Sequence, residues 1–478
     1  MLRNGAYAVS LVFILIIPWE GVLQIPGLGP GTQAMGILLA AIWLISVFFT
    51  NKFRKPQIFH LLILLFVVWN AASIFWSADP RRSVDQVVTW TLLLGLTFII
   101  WDLFTTKETL LAGLQVYILG TFVAIGSAIY NFLFGNPYYT NYERFSPGGT
   151  NPDGFGFIIA LGVPVAWYLA TTKTKTKFGG VLKLINYAYI PAAFMGLALS
   201  GTRTAMIATI PGMIFGLTSL ARLRIWARIT ILLFVSIAIL LLLPVIQPLK
   251  SFERLGTTTG ALAEGDLNER TIIWREGLET FVDHPIIGIG TNMFRSINSL
   301  GKVAHNTYIS VLVELGLIGL GMFLVILGVV VIQAWSLPKW DKSFWFSMLL
   351  VWGIGASSLT WEYRKTTWLF MNMIVASAAL TRSREEKLPA LTYTTTVRES
   401  VNAPVTTLSD VNGSVTIEMQ DKQELKKADS PPGSFCPNQE CSDFEKIQTE
   451  EQKNIIRNGK SKKGRQRFKC KTCRRSFM

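Results

Sequence analysis

Charged residues are scarce in this chain of 478 residues, at 16%, where a soluble domain carries about a quarter. The deficit is uneven, because long apolar runs dominate up to Leu380 and the chain is polar from Arg382 onward. Cysteine is also rare: the four cysteines all lie between Cys436 and Cys473. None of them can link an exported loop of the apolar part, so no disulfide framework is expected.

The apolar runs predict an all-α membrane protein with about twelve transmembrane helices. A helix needs about 20 apolar residues to cross a ~30 Å hydrocarbon core. The candidate segments are 6–25, 33–49, 57–76, 84–104, 110–134, 155–171, 181–200, 204–221, 227–248, 306–335, 343–361 and 367–380. The predicted domains are a transmembrane domain over 1–381, a flexible linker over 382–432 and a small cysteine-containing domain over 433–478.

Basic residues lie in every second short loop between these segments. They are Lys52, Arg54 and Lys55, then Lys107, then Lys173, Lys175 and Lys177, then Arg222, Arg224 and Arg228, then Lys339 and Lys342, then Arg382 and Arg384. Cytoplasmic loops carry such an excess of lysine and arginine. We therefore expect a multi-pass protein of the inner membrane with both termini in the cytoplasm. The long loops 135–153 and 249–304 then face outward.

The outer loops carry few arginines, and these lie at helix ends. Among them are Arg81, Arg144, Arg203 and Arg270. One interpretation is that each arginine simply extends to water at the membrane surface. The alternative is that several of them converge on an anionic ligand, because the planar guanidinium binds phosphate in a bidentate manner.

Four segments resemble the O-antigen ligase and polymerase superfamily, in the family's order. They are SIFWSADPRRSVDQ, LSGTRTAMIA, ERTIIW followed by HPIIGIGTNMF, and AHNTYISVLVELGLIGL, within roughly residues 60–335. The resemblance implies a GT-C-like membrane fold and a metal-independent, inverting glycosyltransferase. Such an enzyme moves a glycan from an undecaprenyl-diphosphate carrier to an acceptor hydroxyl at the outer face of the inner membrane. The acceptor would be lipid A-core, another glycan or a protein.

The resemblance also implies roles for individual residues. Arg203 and Arg270 match the family's arginines and would bind and stabilise the diphosphate leaving group. His305 matches the family's proposed base, and the chain has only three histidines. Arg144 and Arg81 are further candidates for substrate binding. Two acidic residues have interpretations of their own. Asp153 is expected to be the N-cap of the following helix, and Glu314 is either functional or the structural partner of a residue such as an arginine.

The C-terminal cysteines predict a zinc ribbon. Cys436 and Cys441 form one pair, and Cys470 and Cys473 form the second pair, which suits a structural site that holds Zn2+ by four cysteines. The segment IIRNGKSKKGRQRFKCKTC resembles the zinc ribbon of insertion-element transposases. Whether this ribbon contacts nucleic acid, contacts protein or is a relic of a gene fusion stays open.

A small-molecule transporter, for example of bicarbonate, is the alternative function. A transporter carries ionisable residues and broken helices near the middle of the membrane. The arginines and His305 of this chain lie at helix ends, which favours a substrate at the membrane surface.

Overall fold

The computed structural model describes residues 2–25, 29–140, 143–172, 179–256, 269–400, 436–438, 440–444, 446, 454–460 and 466–477. The chain forms two compact units, Met1–Val401 and Asn402–Met478. Most of the predicted linker, from residue 401 on, lies outside the described residues. Its first part is helical, since the last helix of the first unit runs to Ser400.

The described part of the first unit contains fourteen α-helices. They are α1 Leu2–Ile16, α2 Gly31–Thr50, α3 Ile58–Ala72, α4 Pro80–Leu103, α5 Lys107–Leu133, α6 Pro152–Thr171, α7 Gly179–Ser200, α8 Arg203–Leu220, α9 Ile225–Ile246, α10 Lys250–Gly256, α11 Arg270–Asp283, α12 Thr307–Trp335, α13 Lys339–Ala356 and α14 Lys365–Ser400. A short hairpin, β1 Gln24–Ile25 and β2 Gly29–Pro30, lies between α1 and α2.

Twelve of these helices coincide with the twelve predicted segments, which confirms the all-α membrane fold. By length and composition, nine helical stretches in the described part of the chain could cross a membrane. The three predicted segments outside that set correspond to α8, α13 and α14. The other two helices, α10 and α11, are short and lie within the long loop 249–304.

Local sequence determines where several helices begin. Asp79 accepts hydrogen bonds from the amides of Arg81 and Arg82 and is followed by a proline at the first position of α4. Asn151 caps α6 and Asn306 caps α12 in the same way, with their side-chain oxygens on amides of the first turn. Each of these helices therefore starts at a residue that satisfies its free N–H groups.

The helix ends meet in two groups, one at each end of the helix bundle. At one end, Arg3 donates to Lys52 and Asp102, and Arg382 donates to Gln333 and Gln57. The loops with the repeated basic residues, as far as they are described, belong to this basic end. At the opposite end, called the site end below, the chain brings together the starts of α6, α8 and α12 and the end of α7. The orientation of the two ends relative to the cytoplasm stays a prediction.

Helix α6 is the centre of the bundle. Every residue from Phe155 to Ala170 is buried, because α5, α7, α8 and α13 surround it. Small residues allow the close approach: a Cβ on Gly162 would lie 2.0 Å from the Tyr189 hydroxyl, and one on Gly216 would lie 2.3 Å from Trp167 Nε1. A helix buried on all sides is apolar all round, as the sequence of α6 is.

Helix α12 is broken near its N-terminal end. Gly316 has φ 67° and ψ −169°, which no helical residue has. The segment 285–290 supplies the missing partners: the amides of Leu317 and Ile318 donate to the carbonyls of Pro285 and Ile286, at 2.9 and 3.3 Å. A Cβ on Gly316 would lie 2.2 Å from the Ile286 carbonyl oxygen. Glycine is therefore required where this segment docks against the helix.

The described part of the second unit contains a three-stranded antiparallel sheet. Its strands are β3 Ile455–Lys460, β4 Gln466–Cys470 and β5 Ser476–Phe477, in the order β3-β4-β5. Phe468 and Phe477 pair across β4 and β5, with ring centroids 6.2 Å apart. The sheet positions the second cysteine pair, because Cys470 ends β4 and Cys473 lies in the turn before β5.

Candidate active site and candidate metal centre

The turn between α7 and α8 holds the first predicted arginine, Arg203. Gly201 has φ 57°, and a Cβ there would lie 2.9 Å from the Ser251 carbonyl oxygen. Two hydrogen bonds fix α10 against this turn: Arg203 Nε donates to the Arg254 carbonyl at 3.2 Å, and Arg254 Nη1 donates to the Gly201 carbonyl at 2.9 Å. The SGTRTA motif thus forms a tight turn that places Arg203 beside Arg254.

Arg144 is buried and is bound by protein groups. It donates to the Ser200 carbonyl at 2.7 Å, to Thr202 Oγ1 at 3.0 Å and to Asp153 Oδ1 at 2.6 Å. Asp153 was expected to be the N-cap of α6, and this expectation is wrong. The cap is Asn151, whose side chain accepts from the Asp153 amide at 2.8 Å. The carboxylate of Asp153 is drawn instead to the buried guanidinium, which needs a counter-charge.

The R-x-x-x-W motif positions His305. Arg270 is the first residue of α11, and Trp274, one turn later, donates to the Ala304 carbonyl at 2.6 Å. Asn306 caps α12, so His305 is held between two fixed residues. His305 has φ 48°, a left-handed conformation that costs on the order of 1–3 kcal/mol in a non-glycine residue. The contacts of Ala304 and Asn306 hold the backbone of His305 at the start of α12.

The charges at the site end centre on Asp153. Arg144, Arg270 and Arg254 each lie close enough to Asp153 to interact with it electrostatically. His305 interacts with Arg270 and Asp153, and also with Lys302 and Arg295. Burial lowers the pKa of His305 to about 4, and Arg270 adds to the decrease while Asp153 opposes it. The imidazole is therefore neutral near pH 7, the form in which it can accept a proton.

The hydrogen bonds of His305 are also compatible with its acting as a proton acceptor. Its Nδ1 is buried, and among the described residues it has no hydrogen-bond partner. Together, the structure brings Arg203, Arg270, Arg144 and His305 to the site end. The chemical role of each stays a prediction.

Arg81 lies apart from this cluster. It is exposed at the start of α4, and its amide donates to Asp79. Among the described residues, no hydrogen bond or ion pair joins the Arg81 side chain to Asp153 or His305. The adjoining residues of α4 contact the loop after α11 instead, through Ser83 Oγ, which donates to the Thr291 carbonyl at 2.8 Å.

Sequence reasoning missed Arg254, Arg295 and Lys302, and it underrated Asp153. Arg254 lies about fifty residues from the SGTRTA turn, and no motif shows that α10 folds back onto that turn. The sequence indicates these cations in one respect only: they lie in the same long loop as Arg270. Loops often carry binding residues, so several cations in one loop indicate a possible anion site.

Glu314 has a structural partner, but the partner is not an arginine. Its Oε2 accepts from the Asn292 amide at 2.9 Å, and its Oε1 accepts from the Phe294 amide at 3.0 Å. The Gly290 amide donates to the Glu314 carbonyl at 2.9 Å. The carboxylate therefore holds the loop 285–294 against the broken part of α12.

An apolar cavity of about 610 Å³ lies next to the Arg203–Arg254 pair. It is formed by α7, α8 and α10, and its lining includes Phe194, Leu197, Met206 and Phe252. Glu253 and Gly256 line the same cavity. A hydrocarbon chain suits such a lining, and its polar end would then lie near the arginines.

The four predicted cysteines come together in the second unit. Their sulfur atoms all lie within 4.8 Å of one another, with Cys436 Sγ 3.6 Å from Cys473 Sγ and Cys441 Sγ 3.8 Å from Cys470 Sγ. A tetrahedral zinc centre with four Zn–S bonds of ~2.3 Å requires sulfur atoms about 3.8 Å apart. The Asp443 amide points at Cys441 Sγ from 3.4 Å. The geometry therefore fits a metal ion held by four thiolates.

Comparison with known proteins identifies relatives of the membrane unit. Residues 188–324, which include Arg203, Arg270 and His305, match the family model described as O-antigen ligase. The chain is 24% identical over 297 residues to the exopolysaccharide production protein ExoQ of Rhizobium meliloti (strain 1021). That alignment covers 56% of this chain and 63% of the relative, which is less than two thirds of its length. The resemblance to the O-antigen ligase and polymerase superfamily is thereby confirmed.

Proposed function

We propose that this O-antigen ligase-like protein is a glycan transferase of cell-surface polysaccharide biosynthesis. It would move a glycan from an undecaprenyl-diphosphate carrier to an acceptor hydroxyl. The proposal is carried by two observations at the site end: Arg203 lies beside Arg254, and Arg270 lies near a neutral His305. The name of the relative ExoQ, an exopolysaccharide production protein, supports the same class of pathway.

The proposed chemistry uses the cluster in two parts. His305 takes the proton from the acceptor hydroxyl, and the acceptor oxygen attacks the anomeric carbon from the face opposite the diphosphate. The bond from that carbon to the diphosphate oxygen breaks, and its electron pair stays on the diphosphate. Arg203 and Arg270 stabilise the developing negative charge. This single displacement inverts the anomeric configuration, and the arginines supply the positive charge without a metal ion.

The donor would bind across the membrane boundary at the site end. Its diphosphate would lie at the arginines, and its isoprenoid chain would enter the apolar cavity of about 610 Å³ beside Arg203. We place this end at the outer face of the inner membrane, with both termini in the cytoplasm. The acceptor would be lipid A-core, a second glycan or a protein.

The broken helix α12 bears on the alternative of a transporter. In transporters, the unwound backbone of broken helices coordinates ions or substrate within a cavity. Around Gly316, the amides of Leu317 and Ile318 donate to the segment 285–290. The amides at the break are therefore occupied by another segment of the same chain. They are not left to coordinate an ion or a substrate, and this favours the transferase.

The metal centre would hold one structural Zn2+ and stabilise the small second unit. Four thiolates in a tetrahedral arrangement are a usual ligand set for structural zinc, and a metal of this kind contributes directly to folding. Zinc would not take part in glycan transfer. A contact of the ribbon with nucleic acid or protein is left as a separate question.

Glycan profiling of a strain that lacks the protein tests the proposal. Loss of all long chains would identify a polymerase, and accumulation of carrier-linked polymer with loss of attachment would identify a ligase. An unchanged glycan profile would contradict both. With purified protein, transfer should persist in EDTA and give a product of inverted anomeric configuration, as read by NMR.

A further inference from the structure

A second cavity lies at the basic end of the helix bundle. Its volume is about 290 Å³, and the start of α5, the end of α6, the start of α13 and part of α14 surround it. A single water molecule requires about 10–15 Å³, so the cavity has room for a much larger guest. Most of its lining is apolar and comes from Leu110, Leu111, Leu114, Trp345 and Leu380.

The polar part of this cavity centres on Asp341. The Tyr168 hydroxyl donates to Asp341 Oδ1 at 2.7 Å, and the Tyr168 ring stacks on Phe344 with ring centroids 4.1 Å apart. Lys107 Nζ lies 3.5 Å from Asp341 Oδ2. The central helix α6 therefore fixes a carboxylate beside an ammonium group in the wall of an apolar cavity.

The ion pair of Lys107 and Asp341 leaves hydrogen-bonding capacity unused. Within the described part of the chain, the Lys107 ammonium donates no hydrogen bond and Asp341 Oδ2 accepts none. The Lys107 side chain is 55% exposed and that of Asp341 is 21% exposed, so a ligand can reach both. Pro338, which also lines the cavity, precedes α13 without a side-chain cap, so the first amides of this helix have no capping acceptor.

We propose that this cavity binds one zwitterionic phospholipid of the phosphatidylethanolamine class. The lipid phosphate would accept hydrogen bonds from Lys107 and from the first amides of α13. The lipid ammonium would donate to Asp341 Oδ2, and one acyl chain would fill the apolar part of the cavity. The site lies at the opposite end of the bundle from the arginines and His305, so the proposal does not depend on glycan transfer.

The mixture of charges around the cavity favours this headgroup. An anionic headgroup without an amine would bring its phosphate to the Asp341 carboxylate with no cation to offer that carboxylate. The trimethylated amine of phosphatidylcholine has no N–H group, so it cannot form a charge-assisted hydrogen bond to Oδ2. A primary ammonium and a phosphate on one headgroup match Asp341 and Lys107 together.

Native mass spectrometry of the full, delipidated chain in detergent tests the proposal. Dioleoyl phosphatidylethanolamine, phosphatidylglycerol and phosphatidylcholine are added in equal amounts. We expect one phosphatidylethanolamine to be retained per chain, about tenfold more tightly than either competitor, because only its headgroup satisfies both charges. Equal retention of all three lipids would indicate general contact with apolar helix surfaces and refute the site. Preferred retention of phosphatidylglycerol would refute the zwitterionic headgroup.

Two substitutions separate the contributions of the ion pair. Asp341→Asn should abolish the preference for phosphatidylethanolamine over phosphatidylcholine, because the acceptor loses its charge. Lys107→Gln should weaken the binding of both lipids several-fold, because the phosphate loses its cation. Lys342→Gln is the matched control: Lys342 belongs to the first turn of α13 and lies over the Trp335 ring at 4.9 Å, and it is not one of the described residues that line the cavity. It should retain lipid as the parent does.

A substitution in the cavity lining tests the acyl chain separately. Ser377 lines the cavity on α14, and Ser377→Leu would narrow the space and should abolish the retention of phosphatidylethanolamine. Should Asp341→Asn fail to fold, the lipid competition on the parent protein, Lys107→Gln and Ser377→Leu still decide the matter. Unchanged lipid retention in both of these variants would refute the proposal.

Discussion

Replacing Glu314 with alanine should destabilise the fold without removing a chemical group from the active site. The Glu314 carboxylate accepts from the Asn292 amide at 2.9 Å and from the Phe294 amide at 3.0 Å. These two bonds hold the loop 285–294 against the broken part of α12. The alanine variant leaves both amides without their acceptor.

The size of the effect follows from the number and kind of bonds lost. A hydrogen bond to a charged acceptor contributes about 1.5–3 kcal/mol, and the half-buried position of Glu314 favours the lower figure. We expect Glu314→Ala to lower the free energy of unfolding by about 3 kcal/mol. Glu314→Gln keeps one acceptor oxygen and should lose about half of that.

The assay is unfolding by SDS in detergent micelles, followed by tryptophan fluorescence. Glu276→Ala is the matched control, because Glu276 also accepts two bonds, from the Ser299 amide and hydroxyl at 2.9 and 2.7 Å, at an exposed site. It should cost less than about 1 kcal/mol. If Glu314→Ala unfolds like the parent protein but transfers no glycan, the structural interpretation is wrong and Glu314 acts in the chemistry.

Three further predictions concern orientation, the tail and the site turn. An impermeant thiol reagent should not label the native cysteines of intact cells, whereas a cysteine introduced as Ser299→Cys should be labelled. Labelling of the native cysteines in cells that have not been lysed would contradict the predicted orientation. Truncation after Ser400 should remove about one zinc per chain, as measured by metal analysis, and leave transfer intact; loss of transfer in a folded, inserted truncation would bring the ribbon into the mechanism. Gly201→Ala should lower transfer at least several-fold, because its Cβ would lie 2.9 Å from the Ser251 carbonyl oxygen, while Gly148→Ala, with open space around it, should match the parent.

The positions of the long helices could be predicted from apolar runs alone. The caps Asn151 and Asn306 stand where short polar residues precede such runs. The break at Gly316 could not be predicted, because the run ELGLIGLG is continuous in hydrophobicity. The break exists only because the segment 285–290 docks there, about thirty residues away in sequence.

The candidate site also has residues that the sequence predicts and residues that only the fold reveals. Arg203, Arg270 and His305 were found because each lies in a recognisable motif. Asp153 follows a proline at a helix start, so the sequence predicts a helix cap. Its ion pair could not be predicted, because it depends on the fold that buries the Arg144 guanidinium beside it. The metal centre was the simplest part to predict, because the spacing of the two cysteine pairs is visible in the sequence.

The central claim is that His305 acts on the acceptor while Arg203 and Arg270 act on the donor diphosphate, and the single-residue variants test it most directly. Transfer and donor binding should be measured together for His305→Ala, Arg203→Ala and Arg270→Ala, with Arg224→Ala at the basic end as the control. His305→Ala should bind donor normally and transfer roughly 100-fold more slowly, as expected for loss of a general base. The two arginine variants should lose donor affinity as well as rate, and Arg224→Ala should match the parent. If all three site variants insert normally and transfer glycan at the parent rate, the assignment as a glycan transferase is contradicted.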